Sequence, residues 1–326
     1  MTEPAVTVRG LEKHYGDLVA VAGVDFDVAP GETFGFLGPN GAGKSTTISI
    51  LCTLIEPTAG TAKVAGYDVV TQRGDVRRNI GLVFQDPTLD LYLTGEQNLR
   101  FHAELYGVPK HLVGDRMHQV LDMVGLWERR RHRVDTYSGG MRRRLEIARG
   151  LLHSPRVLFL DEPTVGLDPQ TRNSIWRYIH ELREREDITI FLTTHYMDEA
   201  EHCHRIAIMN EGRIVVLGTP EALKASIGKD RVQIHTSDND GAIVELKQRY
   251  ELDAAVHDGA VMFSVAGAEQ FVPRLFAEFA IPIQQVSLAR PSLDDVFLNY
   301  TGTTISDVEA SAGERLRSAF AARRRA

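Results

Sequence analysis

The stretch 38-GPNGAGKSTTI-48 has the spacing of a phosphate-binding loop, G-x-x-x-x-G-K-[ST]. The apolar run 32-ETFGFL-37 before it predicts a strand, and 46-TTISILCTLI-55 after it predicts a helix. In this context the glycines let backbone N–H groups turn toward phosphate oxygens, and the helix N-terminus adds partial positive charge. A glycine-rich turn with a solvated lysine, the alternative, does not need that context. We therefore predict a nucleotide-binding α/β domain.

Within the loop, two side chains have distinct expected roles. Lys44 would reach the β- and γ-phosphates, and the Ser45 hydroxyl would ligate Mg²⁺. The complete set of predicted phosphate-binding residues is Gly38, Pro39, Asn40, Gly41, Ala42, Gly43, Lys44, Ser45 and Thr46.

Length, charge and cysteine content limit the class of protein. With 326 residues the chain is long enough for about two domains, and its net charge of −7 argues against nucleic acid as a partner. The two cysteines, Cys52 and Cys203, show neither metal-site spacing nor a disulfide framework, which suits a reducing compartment. The N-terminus does not look like a signal peptide, and runs such as 188-ITIFL-192 are too short to span a membrane. We expect no transmembrane segment.

Residues 1–225 are predicted to form one α/β domain, with a helical subdomain at about 88–150. Near-continuous apolar runs at 156–163 and 188–195 predict buried parallel strands, and both end in polar residues. Because ligands bind at the carboxyl ends of such strands, these polar residues are site candidates. The other predicted elements are antiparallel strands at 5–10 and 19–28, a mainly helical segment at 88–135, a helix at 169–185 and a hairpin at 205–218.

A second, small α+β domain is predicted at 226–301. Its pattern gives the order βαββαβ, which is the split-βαβ, ferredoxin-like plan. The predicted elements are strands at 231–236, 253–257, 260–265 and 282–288 and helices at 240–250 and 267–279. The remaining residues, 302–326, are predicted to be a flexible or helical basic tail. Its arginines could contact anionic lipid, although a solvated tail is the favoured interpretation.

Two carboxylates close the apolar strand 157-VLFLDE-162. Asp161 can hold Mg²⁺ through a water ligand, and Glu162 is placed to orient or deprotonate an attacking water. The alternative is a plain strand end followed by an acidic loop, since Asp-Glu is common after strands.

The segment 136-TYSGGMRRRLEIARGLL-152 predicts a second anion site. A serine and two glycines precede a helix with an apolar stripe, so a hydroxyl and backbone amides meet at a helix N-terminus. An ordinary helix cap made by Ser138 is the alternative. One chain thus has two phosphate-shaped sites, only one of which can be completed within it.

These stretches together resemble the ATP-binding-cassette (ABC) ATPases, with YSGGM at the place of the family's LSGGQ signature. The resemblance covers about residues 5–220. The family's marks occur in order: Tyr15, the phosphate loop, Gln85 after 80-IGLVF-84, the signature, Asp161-Glu162, 166-GLDP-169 and His195. The resemblance implies that the chain binds ATP with Mg²⁺ and hydrolyses the ATP.

The resemblance also implies a head-to-tail homodimer with two ATP molecules between the subunits. Ser138, Gly139 and Gly140 would bind the γ-phosphate held by the other subunit, and Asp168 would lie at the dimer contact.

Within one subunit, the resemblance implies roles for three further residues. Tyr15 would stack on adenine, Gln85 would contact Mg²⁺ and the attacking water, and His195 would sense the γ-phosphate. The predicted catalytic residues are therefore Lys44, Gln85, Glu162 and His195. The predicted metal ligands are Ser45, Gln85 and Asp161.

Departures from the family pattern indicate a branch. Tyr137 and Met141 replace the signature's leucine and glutamine, and three arginines follow. These features, and the ending 291-PSLDDVFLNYTG-302, resemble the daunorubicin-resistance drug-exporter ATPases. Neither replaced side chain is a main phosphate ligand, so activity is expected to survive. The ending is also an amphipathic helix, which would either close the second domain by docking on its core or dock on the partner ATPase.

The resemblance thus implies the ATPase subunit of an exporter for a drug or another hydrophobic or amphipathic compound. The chain would lie at the cytoplasmic face of the membrane and act through a separate multi-span permease. Residues after Gln85, including Asp86 and Leu89, are the expected permease contacts. The alternatives are an importer ATPase, a kinase, and a soluble ABC ATPase acting on ribosomes or DNA. Relatives of the last kind usually carry two cassettes or a long coiled-coil insertion, neither of which the sequence shows.

Overall fold

The structure is a computed structural model that describes residues 3–186, 188–257 and 259–302. Apart from Gly302, the tail predicted at 302–326 lies outside the described residues. The described chain forms two compact units that divide between Thr219 and Pro220. The helix α8 (Pro220–Ile227) falls in the second unit because it packs against α11 (Leu293–Thr301). The division therefore lies a few residues before the boundary expected at 225/226.

The first unit contains two sheets in its described residues. The strands are β1 (Val6–Tyr15), β2 (Leu18–Val28), β3 (Thr33–Leu37), β4 (Ala59–Val64), β5 (Tyr67–Asp68), β6 (Ile80–Val83), β7 (Val157–Asp161), β8 (Thr189–Thr194), β9 (Arg205–Asn210) and β10 (Arg213–Gly218). The helices are α1 (Lys44–Leu51), α2 (Arg73–Asn79), α3 (Gly95–Leu105), α4 (Lys110–Met123), α5 (Gly139–Leu151), α6 (Pro169–Glu186) and α7 (Met197–Ala200), with short 3-10 turns at Trp127–Arg129 and Val134–Thr136.

The central sheet has the strand order β10-β9-β3-β8-β7-β6 and is parallel except for β10. The parallel strands predicted from the two apolar runs are confirmed, and β3 and β8 are buried along their whole length. Phe34, Phe36, Phe159 and Phe191 pack in the core with ring centroids 5.0 to 5.8 Å apart in the contacting pairs. Burying each such ring contributes roughly 1.5–3 kcal/mol. The carboxyl ends of β3, β7 and β8 therefore meet at one rigid edge.

An antiparallel sheet with the order β2-β1-β4-β5 accompanies the central sheet. Strands β1 and β2 were expected, although β1 continues five residues beyond the predicted end at Gly10 and reaches Tyr15. The segment that contains β4, β5 and α2 was not predicted, because these elements are short and mostly polar.

The helical subdomain begins later than the sequence suggested. Residues 88–94 are irregular, and α3 begins at Gly95 because the Thr94 hydroxyl caps it in a capping box with Gln97. The side-chain amide of Asn98, within α3, bonds to the backbone of Asp90, which precedes the cap. It accepts from the Asp90 N–H and donates to the Asp90 C=O, at 2.9 Å each. These hydrogen bonds satisfy backbone groups that a longer helix would have used.

The second unit follows the predicted order of elements. They are α8, β11 (Asp230–Thr236), α9 (Asn239–Tyr250), β12 (Ala254–His257), β13 (Ala260–Val265), α10 (Ala268–Glu278), β14 (Ile283–Ala289) and α11. The four strands form an antiparallel sheet in the order β12-β13-β11-β14. With strands numbered within the unit this order is 2-3-1-4, the ferredoxin-like arrangement that was predicted. None of the helices in the described residues is long and apolar enough to cross a membrane.

Candidate functional site

The phosphate loop turns from β3 into α1 with its glycines in conformations that side chains disfavour. Gly41 has φ +84° and Gly43 has φ +104°. A Cβ on Gly43 would lie 2.4 Å from the Ala20 carbonyl oxygen, so the loop also packs closely against β2. The Thr47 hydroxyl donates to the Gly43 carbonyl at 2.9 Å and fixes the first turn of α1. The loop therefore presents its N–H groups at a helix N-terminus, as an anion site requires.

Lys44 lies inside this loop and is only 4% exposed. Its ammonium donates to the carbonyl oxygens of Gly38, at 2.8 Å, and Pro39, at 3.0 Å. It also lies 3.6 Å from Oε1 of Glu162. The ammonium thus joins the loop to the end of β7.

Asp161 and Ser45, both predicted to hold Mg²⁺, lie next to each other because β7 ends beside the start of α1. The Ser45 hydroxyl donates to Oδ1 of Asp161 at 3.1 Å. The Thr193 hydroxyl, on the neighbouring strand β8, donates to the same oxygen and orients the carboxylate. A hydroxyl and a carboxylate are ligands that Mg²⁺ prefers, and Mg²⁺ sites of this kind use one or two protein groups together with substrate phosphates. These residues fit the ion.

Glu162 is held in a strained backbone conformation, with φ +45°, and its side chain is buried. Its N–H donates to the Thr193 hydroxyl at 3.0 Å, and its Oε2 lies 3.4 Å from Nδ1 of His195. Burial, the largest single influence, raises the pKa of Glu162, but the His195 ring and the Lys44 ammonium together outweigh it. The net pKa lies below the ordinary value, so the carboxylate is ionised and able to accept a proton or orient water.

A cleft of about 260 Å³ is lined by Tyr15 and by the loop residues predicted to bind the nucleotide, except Gly38, Pro39 and Ala42. Tyr15 stands at its rim, with 49% of its surface exposed. Gln85 follows the end of β6 by two residues and is also exposed. The lining residues are Tyr15, Leu18, Val19, Ala20, Asn40, Gly41, Gly43, Lys44, Ser45, Thr46, Gln85 and Glu162. An aromatic ring, a phosphate loop and a carboxylate thus line one cavity.

The signature residues lie elsewhere on the first unit. Ser138 caps α5 by accepting a hydrogen bond from the Met141 N–H at 3.3 Å. A Cβ on Gly140 would lie 2.4 Å from Cγ2 of Thr171, so the start of α5 packs tightly against the start of α6. All these residues belong to the described chain, and neither Ser138, Gly139 nor Gly140 lines the nucleotide cleft.

Asp168 lies beside the signature rather than in the cleft. It caps α6, since Thr171 donates to its two carboxylate oxygens through its N–H, at 3.0 Å, and its hydroxyl, at 2.6 Å. These bonds lower the pKa of the exposed Asp168 carboxyl. The signature and Asp168 thus form a second surface with no lining residue in common with the cleft.

Arg143 is a site-adjacent residue that the sequence interpretation missed. The arginine run after the signature served there only as a mark of a branch, but Arg143 is 7% exposed. Its guanidinium donates to the carbonyl oxygens of Pro163 at 2.6 Å, Asp161 at 3.1 Å and Glu162 at 3.3 Å. Its neighbours in the run, Arg142 and Arg144, make other contacts. No local pattern in the sequence separates Arg143 from its two arginine neighbours, because its backbone partners lie in distant segments.

Leu89, expected as a permease contact, is 8% exposed and packs inside the helical subdomain. That expectation is wrong for a direct contact, because the segment 88–94 folds back onto α3 and α5. Large apolar side chains on the surface of this region are instead Phe84, Leu91, Tyr92, Phe101 and Leu105.

Comparison with known proteins defines the class first. The family profile described as ABC transporter matches residues 21–165. Among solved structures, the chain resembles cbiO1 of Clostridium perfringens, part of the transporter complex cbiONQ, at 28% identity and TM-score 0.65, over 77% of this chain and 97% of that one. It also resembles the ATP-binding cassette MJ0796, solved as a dimer with ADP and Pi, at 26% identity and TM-score 0.59, over 66% and 98% of the two chains.

The relatives that match at full length narrow this class. The chain is 41% identical to the daunorubicin resistance ATP-binding protein DrrA3 of Streptomyces coeruleorubidus, over 93% of this chain and 97% of that protein. It is 37% identical to the linearmycin resistance ATP-binding protein LnrL of Bacillus subtilis, over 92% and 99%. Residues 218–301 match the C-terminal domain of DrrA1-3-like ATP-binding proteins. The chain belongs to the ABC transporter ATPases, in the branch of the DrrA-like drug-resistance proteins, and is an ATP-binding, ATP-hydrolysing protein.

Proposed function

We propose that this chain is the ATPase subunit of an exporter that removes a drug or another amphipathic compound through a separate multi-span permease. Drug resistance is named for relatives that match the chain along both units, which supports export over import. The chain would lie at the cytoplasmic face of the membrane. The exposed apolar side chains of the helical subdomain, such as Tyr92 (80% exposed) and Phe101 (67% exposed), are the proposed permease contacts.

The observation that carries the catalytic part is the separation of the cleft from the signature. The cleft supplies a loop, a lysine and a carboxylate, whereas Ser138, Gly139 and Gly140 form another surface. A second copy, rotated by a two-fold axis, would bring its signature to the γ-phosphate and complete the site. Asp168, beside the signature, would lie at the same dimer contact. The dimeric form solved for the related cassette MJ0796 supports this arrangement.

Residues in and beside the cleft then have separate roles in hydrolysis. Tyr15 stacks on adenine, and the loop amides with Lys44 neutralise the charge of the phosphates. Glu162, ionised and buried, orients the attacking water and accepts its proton. His195, 3.4 Å from that carboxylate, contacts the γ-phosphate and keeps Glu162 oriented.

Mg²⁺ is the proposed metal cofactor, and Ser45, Asp161 and Gln85 are its proposed protein contacts. The ion would supply charge neutralisation at the β- and γ-phosphate oxygens. Gln85, exposed at the end of β6, would connect this site with the permease-facing segment that follows it.

A pull-down from native membranes tests the partner. Tagged Glu162→Gln protein, incubated with ATP, is expected to bring down a multi-span membrane protein in stoichiometric amount. Lys44→Ala is the matched control, because it should neither bind ATP nor hold the closed dimer. Recovery of ribosomal or DNA-associated proteins without a membrane protein would contradict the transport proposal and leave the ATPase chemistry intact.

Direction is tested with the recovered membrane protein. It is co-expressed with this chain, and inside-out membrane vesicles are prepared. Export predicts ATP-dependent accumulation of a fluorescent anthracycline inside such vesicles, lost with Glu162→Gln. Accumulation only in right-side-out vesicles would indicate import.

A further inference from the structure

Three side chains on one face of α5 hold the segment that carries Gln85. Arg143, Glu146 and Arg149 follow one another at three-residue intervals, so they lie along one side of the helix. Nη1 of Arg143 donates to the carbonyl oxygen of Phe84 at 2.5 Å. Oε1 of Glu146 accepts from the Thr88 N–H at 2.8 Å, and Arg149 donates to the Thr88 carbonyl oxygen at 3.0 Å. Both ends of the segment 84–88 are therefore fixed to α5.

The same guanidinium also holds the backbone on either side of the catalytic carboxylate. It donates to the carbonyl oxygens of Asp161, Glu162 and Pro163. A planar fork with five N–H donors can satisfy acceptors in several directions, which the compact ammonium of lysine cannot do. At Glu162 this matters because the backbone has φ +45°, a conformation that persists only where the surroundings impose it.

Burial of this arginine is compensated by Glu146. Nη1 of Arg143 lies 3.0 Å from Oε2 of Glu146, and both side chains are less than 9% exposed. The remaining oxygen of Glu146 is the one that accepts from Thr88. The polar atoms of Arg143 and Glu146 thus bind the backbone of the segments 84–88 and 161–163. Neither side chain lines the nucleotide cleft.

We propose that Arg143, supported by Glu146, is a positioning residue for ATP hydrolysis. It sets the backbone at Glu162 and the segment of Gln85 in one arrangement, so that base and water contact are aligned together. Because Arg143 lies on the signature helix, five residues after Ser138, the arrangement also ties the base of one ATP site to the helix that would complete the other. The proposal rests on the role of Glu162 proposed above, and not on the membrane partner.

Steady-state ATPase kinetics of the full chain test the proposal with Arg143→Lys. We expect kcat to fall about 10- to 100-fold, as for a catalytic group displaced by a fraction of an ångström to an ångström. The Kd of a fluorescent ATP analogue should stay within about threefold, since Arg143 does not line the cleft. Arg144→Lys is the matched control: Arg144 donates to the Val124 carbonyl oxygen and the Tyr178 hydroxyl, so its kcat should change by less than about twofold.

A double-mutant cycle with Glu162→Gln separates positioning from general support of the fold. If Arg143 acts through Glu162, adding Arg143→Lys to Glu162→Gln should lower the residual single-turnover rate by less than about threefold. An unchanged kcat in Arg143→Lys, or the same loss of rate with and without Glu162, overturns the proposal. A loss of ATP affinity in parallel with kcat also overturns it, because that pattern belongs to a damaged fold.

A second variant covers the case in which Arg143→Lys does not fold. Glu146→Gln keeps the volume and one acceptor but removes the charge that compensates Arg143, and we expect a loss of about 3- to 10-fold in kcat that again disappears in the Glu162→Gln background. A wild-type kcat for Glu146→Gln in that case overturns the proposal. A wild-type kcat for Glu162→Gln itself would overturn both the assignment of Glu162 as the base and this proposal. A pull-down that recovers no membrane protein would contradict only the transport proposal.

Discussion

Both the phosphate loop before α1 and the signature before α5 place glycines and a serine at a helix N-terminus. Around the loop, however, Lys44, Asp161 and Glu162 converge within hydrogen-bonding or ion-pairing distance. Around the signature, the described contacts are those of helix packing: a cap by Ser138 and the approach of Gly140 to Thr171. The difference teaches that an anion-binding backbone does not make a catalytic site by itself. The reactive carboxylates follow β7, and the side chains of the loop contact them directly. The signature helix reaches the same strand end through Arg143, which contacts backbone carbonyls and not the carboxylates.

Glu162→Gln is the change expected to have the largest effect on this comparison. It removes the base but keeps the shape of the cleft, so kcat should fall about 10²- to 10⁴-fold while ATP binding is retained. Single-turnover hydrolysis and size-exclusion chromatography with ATP measure the two properties, and the variant should elute as a dimer. Hydrolysis at the wild-type rate would show that another group activates the water.

Lys44→Ala tests whether the loop depends on its buried lysine. The variant loses the ammonium that lies 3.6 Å from the Glu162 carboxylate and the charge offered to the phosphates, so ATP Kd should rise by about 100-fold. Titration with a fluorescent ATP analogue measures this. Lys63→Ala, on the exposed side of β4, is the control and should leave Kd unchanged. Equal affinities for the two variants would contradict the assignment of the cleft.

Gly139→Asp tests the other anion site. A Cβ here would lie 3.6 Å from Leu167, an ordinary contact, and an acidic residue is favourable at a helix N-terminus, so the variant should fold. Its negative charge would face the γ-phosphate of the partner, and ATPase activity should fall about 100-fold with little change in ATP Kd. Gly139→Ala should lose less than about fivefold, because it adds no charge.

A mixing experiment asks whether the two anion sites act in trans. Inactive Lys44→Ala and Gly139→Asp subunits are combined, so that a mixed dimer has one intact pair of loop and signature. Recovery of roughly a quarter of the wild-type activity is expected from random pairing in a two-fold dimer. If mixed dimers form but no activity is recovered, either each subunit is complete alone or both ATP sites must be intact for hydrolysis. Wild-type ATPase activity that does not depend on protein concentration would favour the first explanation.

The residues that gather around the loop could be located from the sequence because their determinants are local. Each determinant can be recognised within about ten residues of sequence. They are a phosphate loop, a strand that ends in carboxylates and a polar residue after another apolar run. Parallel strands then bring their carboxyl ends to one edge, so Lys44, Asp161 and His195 could be placed near one another before the fold was known. The second unit was predicted for a similar reason, since its alternating strands and helices are regular.

What the sequence did not indicate are contacts between distant segments. Arg143 was interpreted only as one of three arginines that mark a branch, and only the tertiary fold shows that its backbone acceptors lie 18 to 59 residues away along the chain. Leu89 was expected to contact the permease because it follows Gln85, but the hydrogen bond from the Thr88 N–H to Glu146 draws the chain inward. Short strands such as β5, with two residues, leave no periodic pattern to detect.

Tyr15→Ala should have a moderate effect, confined to the cleft. The ring is 49% exposed at the rim, where an adenine could stack on it, and stacking of a base on an aromatic ring is worth about 1–3 kcal/mol. ATP Kd should therefore rise roughly 5- to 100-fold, with kcat at saturating ATP nearly unchanged. Tyr15→Phe keeps the ring and should bind like the wild type. If the two variants bind equally weakly, the hydroxyl rather than stacking is responsible.

The smallest expected effect concerns how Glu162, at the cleft, and Asp168, beside the signature, contribute to the free energy of unfolding. The folded-state pKa of Glu162 lies below its ordinary value of 4.5, so its neighbours stabilise the ionised form. As the pH falls the unfolded chain takes up the proton first, and this contribution is present above about pH 4.5 and is lost as the pH falls through the folded-state pKa. Urea unfolding at pH 7 and pH 4 should thus show that the stability advantage of the wild type over Glu162→Gln shrinks in acid.

Asp168 provides the comparison for this measurement. Its pKa is also lowered, by the two hydrogen bonds from Thr171, but the carboxylate is exposed and solvent screens its charge. Asparagine keeps one side-chain oxygen, which can still accept the capping bond from the Thr171 N–H. The stability difference between wild type and Asp168→Asn should therefore depend less on pH than that of Glu162→Gln. The wild type is compared with Glu162→Gln and with Asp168→Asn. If the two differences in the free energy of unfolding change equally with pH, burial of Glu162 beside Lys44 and His195 does not distinguish it from an ordinary helix cap. A difference confined to Glu162 would locate the acid-sensitive contact at the cleft, between the ionised base and the two groups that hold it.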